Sequence, residues 1–62
     1  MISPRDVAAK YEEVAALALD TARAVEDNDP IKMATSMITM EIKLYDATKT
    51  AGAFAKQKIE GK

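Results

Sequence analysis

The chain has 62 residues, a formal net charge of −1, and neither cysteine nor histidine. These facts exclude disulfides and thiolate metal sites, remove the commonest general base, and disfavour a nucleic-acid binder, which normally carries a basic excess. With 48% hydrophobic and 31% charged residues and only two glycines and two prolines, the composition indicates a single helical domain over residues 1–62. A core of this size seldom stabilises a chain by more than about 3–5 kcal/mol, so oligomerisation is a common remedy.

The first predicted element is a helix over about residues 4–27. Ser3 can cap its N-terminus, and Pro4 takes the first helical position, where its missing N–H costs nothing. Apolar residues then recur at steps of three and four, as on a helix with one buried face. They are Val7, Tyr11, Val14, Ala18, Ala22 and Val25, with Ala8, Ala15 and Leu19 widening the stripe. We expect this stripe to form a thin seam, because much of it is alanine.

An acidic corner, Glu26-Asp27-Asn28-Asp29-Pro30, follows the first helix. Asn28 is one of the few residue types other than glycine that tolerate the left-handed conformation in which helices often end. Asp29 can cap a second helix that begins at Pro30. The sequence therefore predicts an all-α fold, a two-helix antiparallel hairpin that reverses at residues 28–29 and assembles into a larger helical oligomer.

The second predicted helix covers about residues 30–60 and carries two separate apolar stripes. The first is expected to pack on the first helix and consists of Met33, Met37, Met40, Leu44, Ala47, Ala51 and Ala55. The second lies roughly 140° round the helix, at ~100° per residue. It consists of Ile31, Ile38, Ile42 and Tyr45 and continues to Gly52. A two-helix hairpin cannot cover both stripes, so the second predicts an interface between subunits.

Charge is divided between the two halves of the chain. Residues 1–29 hold seven acidic and three basic side chains, a net charge of −4, and residues 30–62 hold six basic and three acidic ones, a net charge of +3. In a hairpin, the acidic corner and the lysine-rich C-terminal end lie at opposite ends of a rod. Head-to-tail contact would match unlike charges, an open geometry that produces filaments or helical tubes.

Two segments resemble a known family. Asn28-Asp29-Pro30-Ile31-Lys32-Met33 and Ala47-Thr48-Lys49-Thr50-Ala51-Gly52 are similar to stretches in the subunits of bacterial type III secretion needles and inner rods, and the resemblance covers about residues 26–60. It implies a helical tube with a polar lumen through which unfolded exported proteins pass, with Lys49, Lys56 and Lys58 as candidates near the lumen. It also implies a location at the bacterial cell surface, or secretion without a cleaved signal peptide. The alternative location is the cytoplasm.

The leading hypothesis is a structural subunit that polymerises through Ile31, Ile38, Ile42, Tyr45 and Gly52. The alternative is a dimeric four-helix-bundle binding module, acting as a secretion co-chaperone or regulator. An RNA-binding hairpin dimer is a third possibility, disfavoured by the acidic first helix. We expect no enzyme activity, cofactor, metal site or nucleic-acid partner. We also expect no membrane span, since the longest apolar run has six residues against the ~18–20 that a span needs.

Overall fold

The computed structural model describes residues 2–61; residues 1 and 62 of the predicted domain lie outside them. The chain forms two helices, α1 (Pro4–Glu26) and α2 (Pro30–Glu60). They pack along each other in a rod of 49 × 15 × 14 Å. The predicted all-α, two-helix hairpin is confirmed, with α1 ending one residue earlier than expected and α2 at its expected limits.

Both helices begin with the predicted caps. The Ser3 hydroxyl accepts a hydrogen bond from the Asp6 backbone N–H at 3.1 Å, and the Asp29 carboxylate accepts one from the Lys32 N–H at 3.1 Å. A proline follows each cap. These bonds satisfy N–H groups that the first turn of a helix leaves without a partner. The two starts are therefore set by local sequence.

The corner is a tight helix-ending turn centred on Asn28, which has the left-handed φ of 56°. Its N–H donates to the Val25 carbonyl at 3.1 Å, and the Asp29 N–H donates to the Ala24 carbonyl at 3.0 Å. This pair of bonds is the Schellman motif. The Asp29 carbonyl also accepts from the Met33 N–H at 2.9 Å. Asp29 thus closes α1 and opens α2, which reverses the chain within three residues.

The seam between the helices follows a seven-residue repeat. Ala24 and Ala47 are fully buried, at 1% and 0% exposure. The half-buried residues that continue the same alternation of three- and four-residue steps are Val7, Lys10, Val14, Leu17 and Thr21 on α1, and Met33, Ser36, Met40, Thr50 and Phe54 on α2. A repeat of 3.5 residues keeps two supercoiled helices in contact along one line. The hairpin is therefore a short antiparallel coiled coil.

The predicted seam was wrong in part. Val7, Val14, Met33, Met40 and Ala47 do face the partner helix. The other predicted seam members are exposed: Tyr11, Ala18, Ala22 and Val25 on α1, and Met37, Leu44 and Ala55 on α2. Ala51 is half-buried. Both the predicted and the observed seam advance in steps of three and four residues and share Val7, Val14, Met33, Met40 and Ala47. Beyond these shared positions the observed contact falls three residues on, at Lys10, Leu17, Ser36 and Thr50, whereas the prediction placed it four residues on.

Two ion pairs link the helices across one edge of the seam. Lys10 Nζ lies 2.5 Å from the Asp46 carboxylate, and Lys43 Nζ lies 3.3 Å from that of Glu13. In each pair the two residues are equally far from Asn28 along the chain, so both pairs correspond to one register. The hydrogen bond from Lys10 lowers the pKa of Asp46 below its ordinary value and the bond to Asp46 raises the pKa of Lys10.

The hydrophobic core of the isolated hairpin is small. No large side chain among residues 2–61 is fully buried, and the two fully buried residues are alanines. Complete burial of one Leu, Ile or Met side chain contributes about 1.5–3 kcal/mol, and alanine contributes far less. Polar residues also occupy the seam at Lys10, Thr21 and Ser36. The hairpin alone is accordingly expected to be marginally stable.

Replacing Asn28 tests the corner. Asn28→Val places a β-branched residue in the left-handed conformation and is expected to cost about 1–2 kcal/mol in unfolding free energy. Asn28→Gly is the matched control. Its unfolding free energy should stay within a few tenths of a kcal/mol of the parent value, since glycine is the usual residue there. Urea unfolding followed by circular dichroism measures both. Equal stability of the valine and glycine variants would show that the turn is not as described.

The Lys10–Asp46 pair predicts a dependence of stability on acid. Because the pKa of Asp46 is lowered in the folded chain, its contribution is present above the ordinary value of 3.8 and is lost as pH falls through the lowered value. Asp46→Asn should lower the urea midpoint at neutral pH. In the variant the midpoint should also decrease less than in the parent chain as the pH is lowered. Glu41→Gln, which removes a carboxylate elsewhere on α2, is the control. A wild-type acid profile in the asparagine variant would contradict the assignment.

Candidate functional site

The predicted interface residues lie on the side of α2 that faces away from α1. Ile31, Ile38, Ile42 and Tyr45 are 79%, 60%, 64% and 66% exposed. Side chains of this size are normally at least half covered in a folded protein. With the residues at the same spacing between and beyond them, they form a line that we call the outer stripe: Ile31, Thr35, Ile38, Ile42, Tyr45, Lys49, Gly52, Lys56 and Ile59. Their role as an interface between subunits stays a prediction.

Ile59 extends the outer stripe by another two turns and was not among the predicted residues. It is 71% exposed and stands seven residues after Gly52, which itself stands seven after Tyr45. The same spacing separates Ile31, Ile38 and Tyr45. The seven-residue spacing was therefore the signal that would have found Ile59. The stripe runs almost the full length of α2.

Gly52 leaves a gap in the stripe, and no contact within the hairpin requires a glycine at this position. A Cβ atom built on Gly52 would meet no heavy atom within 4 Å, and its φ is not positive. Glycine costs about 1 kcal/mol relative to alanine inside a helix. The hairpin would tolerate a side chain at this position. A close approach by a second backbone is a physical reason for the glycine that the single chain does not provide.

A second apolar surface joins both helices along one edge of the seam. We call it the apolar flank and define it as Tyr11, Ala18 and Val25 on α1 with Met37, Leu44 and Ala51 on α2. Its four large side chains are 39–53% exposed. All six of these residues had been predicted to lie in the seam itself. Since each helix places them four residues beyond a seam residue, they lie beside the contact line instead.

The apolar flank and the two ion pairs lie on opposite edges of the seam. Glu13 and Asp46, the acidic members of the pairs, each directly precede a seam residue. At ~100° per residue, the preceding position and the position four residues ahead fall on opposite sides of a seam residue. One edge of the hairpin is thus charged and the other apolar. The outer stripe is a third surface, on the back of α2.

The three candidate lumen lysines are exposed, but they do not form one row. Lys49 and Lys56 stand in line with Ile42 at seven-residue spacing, within the outer stripe. Lys49 Nζ lies 5.3 Å from the centre of the Tyr45 ring, a cation–π distance. Lys58 instead continues the line of Leu44 and Ala51, with its Nζ 5.5 Å from the Phe54 ring. Their proximity to a lumen stays a prediction.

Near the corner, an open groove of about 300 Å³ lies between the helices. It is lined by Asp20, Arg23, Ala24, Asp27, Lys32 and Ser36. The lining has both signs of charge, and Arg23 lies 3.9 Å from Asp20. Within residues 2–61 no cluster of side chains has the composition of a metal site, and neither helix has the length and hydropathy needed to cross a bilayer.

Comparison of the chain with protein-family models, with curated proteins and with solved structures finds no match. The outer stripe and the apolar flank are therefore the features from which a function has to be inferred. Both are surfaces suited to contact with another helix.

Replacing Gly52 tests whether the hairpin itself needs this glycine. Gly52→Ala should raise the unfolding free energy of the dilute chain by about 1 kcal/mol, through helix propensity alone. Ala53→Gly, the adjacent exposed position, should lower it by a similar amount. Urea unfolding at a concentration where light scattering finds a monomer measures both. A loss of stability in Gly52→Ala would mean that the glycine serves a contact within the single chain.

Proposed function

We propose that the chain is a structural subunit of a self-assembling helical filament or tube. The observation that carries this proposal is the imbalance of its apolar surface. Among the described residues only two alanines are buried hydrophobic residues, whereas ten large apolar side chains are exposed. Contiguous exposed apolar surface of this kind is typical of a protein whose stable form is an assembly.

The number of apolar surfaces favours an open assembly over a closed dimer. A two-fold dimer that uses one surface leaves the other exposed on each copy. Two different contacts per subunit, one through the outer stripe and one through the apolar flank, extend the assembly until a ring closes or a filament grows. The rod is 49 Å long, so each of the two contacts can extend along a different side of it.

The surface available is large enough for a specific contact. A stable interface covers about 800 Å² on each partner, which is roughly a sixth of the 4790 Å² that the hairpin exposes. Burying apolar surface contributes roughly 25 cal/mol per Å² before the costs of association are subtracted. For a hairpin with so small a core, assembly would provide much of the stability of the folded chain.

The resemblance of residues 26–60 to needle and inner-rod subunits suggests what such a tube could do. On that interpretation it is a conduit of type III secretion at the bacterial cell surface, with unfolded exported proteins in transit. The part of α2 that extends beyond α1 carries Lys56 and Lys58, and Lys49 lies just before it. These lysines would be near the lumen.

The apolar flank supports a second candidate, a dimeric four-helix bundle that binds another helical protein as a co-chaperone or regulator. Helices in bundles carry apolar residues at a third position beside each pair of seam positions. Tyr11 and Val25 on α1 and Met37 and Leu44 on α2 provide that position. Two hairpins packed flank to flank would bury all four side chains.

Electron microscopy and light scattering at increasing concentration distinguish the two candidates. A filament subunit is expected to form elongated particles whose length or number rises with concentration. A bundle module is expected to reach a constant mass of two chains. A dimer of constant mass at every concentration would overturn the filament proposal and leave the second candidate.

Charge introduced into the outer stripe is expected to stop growth. Ile38→Lys combined with Tyr45→Lys places two charges seven residues apart where a partner would bury them, which is strongly unfavourable. Ala9→Lys combined with Ala16→Lys is the matched control, because it adds the same charge at the same spacing on exposed positions of α1. Filaments should disappear in the first variant and persist in the second. Filaments that survive in the stripe variant would mean that the stripe is not a contact.

The apolar flank has its own test. Met37→Lys combined with Leu44→Lys should also stop filaments, but the intact outer stripe should still hold pairs of chains together. Sedimentation analysis is expected to find a discrete dimer in this variant and a monomer when the flank and stripe substitutions are combined. An unchanged filament would show that the apolar flank is not a contact between subunits.

A further inference from the structure

We propose that the outer stripe of one chain packs against the outer stripe of a second copy in antiparallel orientation, about a two-fold axis close to Ile42 and Tyr45. This inference rests on the proposed self-assembly and adds to it the orientation and register of one contact. Four observations carry it: the spacing of the stripe, the positions of its lysines, the charge of the two ends, and the large side chains near its middle.

The stripe has the spacing of a second coiled-coil seam on the same helix. Steps of four and three residues alternate along it without interruption from Ile31 to Ile59. The positions are Ile31, Thr35, Ile38, Ile42, Tyr45, Lys49, Gly52, Lys56 and Ile59. The seam with α1 shows the same alternation on the opposite side of α2. A helix with two such seams can contact a partner helix on each side.

The lysines at seam positions decide the orientation. In a parallel pair, Lys49 would oppose Lys49 of the second copy, and Lys56 would oppose Lys56, which places like charges together. In an antiparallel pair about Ile42 and Tyr45, Lys49 lies beside Ile38 of the second copy and Lys56 beside Ile31. A lysine stem covers apolar surface while its ammonium group stays in water. The antiparallel orientation is therefore the one that these lysines permit.

Charge complementarity at the ends favours the same orientation. Antiparallel packing brings the acidic corner of one copy, with Glu26, Asp27 and Asp29, next to the end of α2 that carries Lys56 and Lys58 in the other. It also places Lys49 within reach of Glu41 of the second copy, and Lys32 within reach of Glu60. The symmetry of the pair makes each of these contacts twice. Such pairs set orientation and register more than affinity.

The large side chains near the middle of the stripe set the register. The stripe extends from Ile31 to Ile59, about 42 Å at 1.5 Å per residue, and its middle residue is Tyr45. An antiparallel pair about Ile42 and Tyr45 lies close to that middle and covers the stripe from Ile31 to Lys56 on both copies, with Ile59 just beyond the covered part. The large side chains of Ile42 and Tyr45 then meet at the centre, while the gap at Gly52 lies beside Thr35. A shift by one heptad in either direction would separate Ile42 from Tyr45 of the second copy.

Single cysteines test this pairing, since the chain has none of its own. Thr35→Cys and Gly52→Cys alter the two smallest residues of the stripe and keep every isoleucine. The two variants are mixed in full-length form, treated with a short bis-maleimide, and resolved by mass spectrometry. Antiparallel pairing predicts cross-links mainly between the two different variants. In either variant alone the two cysteines would be about 26 Å apart, and little cross-linking is expected.

The outcomes separate this inference from the proposed function. Strong cross-linking within each variant alone would show a parallel stripe and overturn the inference. Oligomers in light scattering with no cross-link in any mixture would show that assembly uses another surface, so the inference fails while the proposed function stands. A monomer at every concentration for the parent chain would overturn both. Circular dichroism of each variant confirms that it retains the helical hairpin before cross-linking.

Discussion

The contact between α1 and α2 buries little apolar side-chain surface, and the other properties of the hairpin depend on this small core. Its fully buried residues are two alanines, and lysine, serine and threonine occupy other positions along it. Local hydrogen bonds at the caps and corner, together with two ion pairs, determine how the chain folds back. They contribute little net free energy at exposed positions. In the proposed assembly, much of the stability would come from surface that the single chain leaves exposed.

The apolar residues of α2 are distributed around the helix rather than concentrated on one face. One line contacts α1, a second lies beside it on the apolar flank, and a third forms the outer stripe on the back. A helix that is apolar on several sides is normally surrounded by other helices. Within residues 2–61, α2 has one neighbouring helix, α1. The other neighbours are expected to be further copies, which connects the small core to the proposed assembly.

Much of the fold could be predicted because its signals are local. Ser3, Asp29 and the prolines after them set the helix starts, and Asn28 accounts for the reversal. The seam was harder to predict. Apolar periodicity identified the correct side of each helix but chose Tyr11 and Leu44 over Lys10 and Lys43. From each shared seam position the next contact can fall three or four residues on, and the rotation of one helix against the other selects between them, whatever the polarity of the residues there.

The sequence by itself determined the two helices, the corner, and the presence of an apolar stripe on α2 away from α1. These features depend on the order of neighbouring residues and on the helical period. Only the tertiary structure decided which residues fill the seam, that Tyr11, Val25, Met37 and Leu44 form a separate apolar flank, and that Gly52 meets no neighbour within the chain. Those features depend on the rotation of one helix against the other. The ion pairs of Lys10 and Lys43 fit that rotation, and they join residues that are distant in sequence.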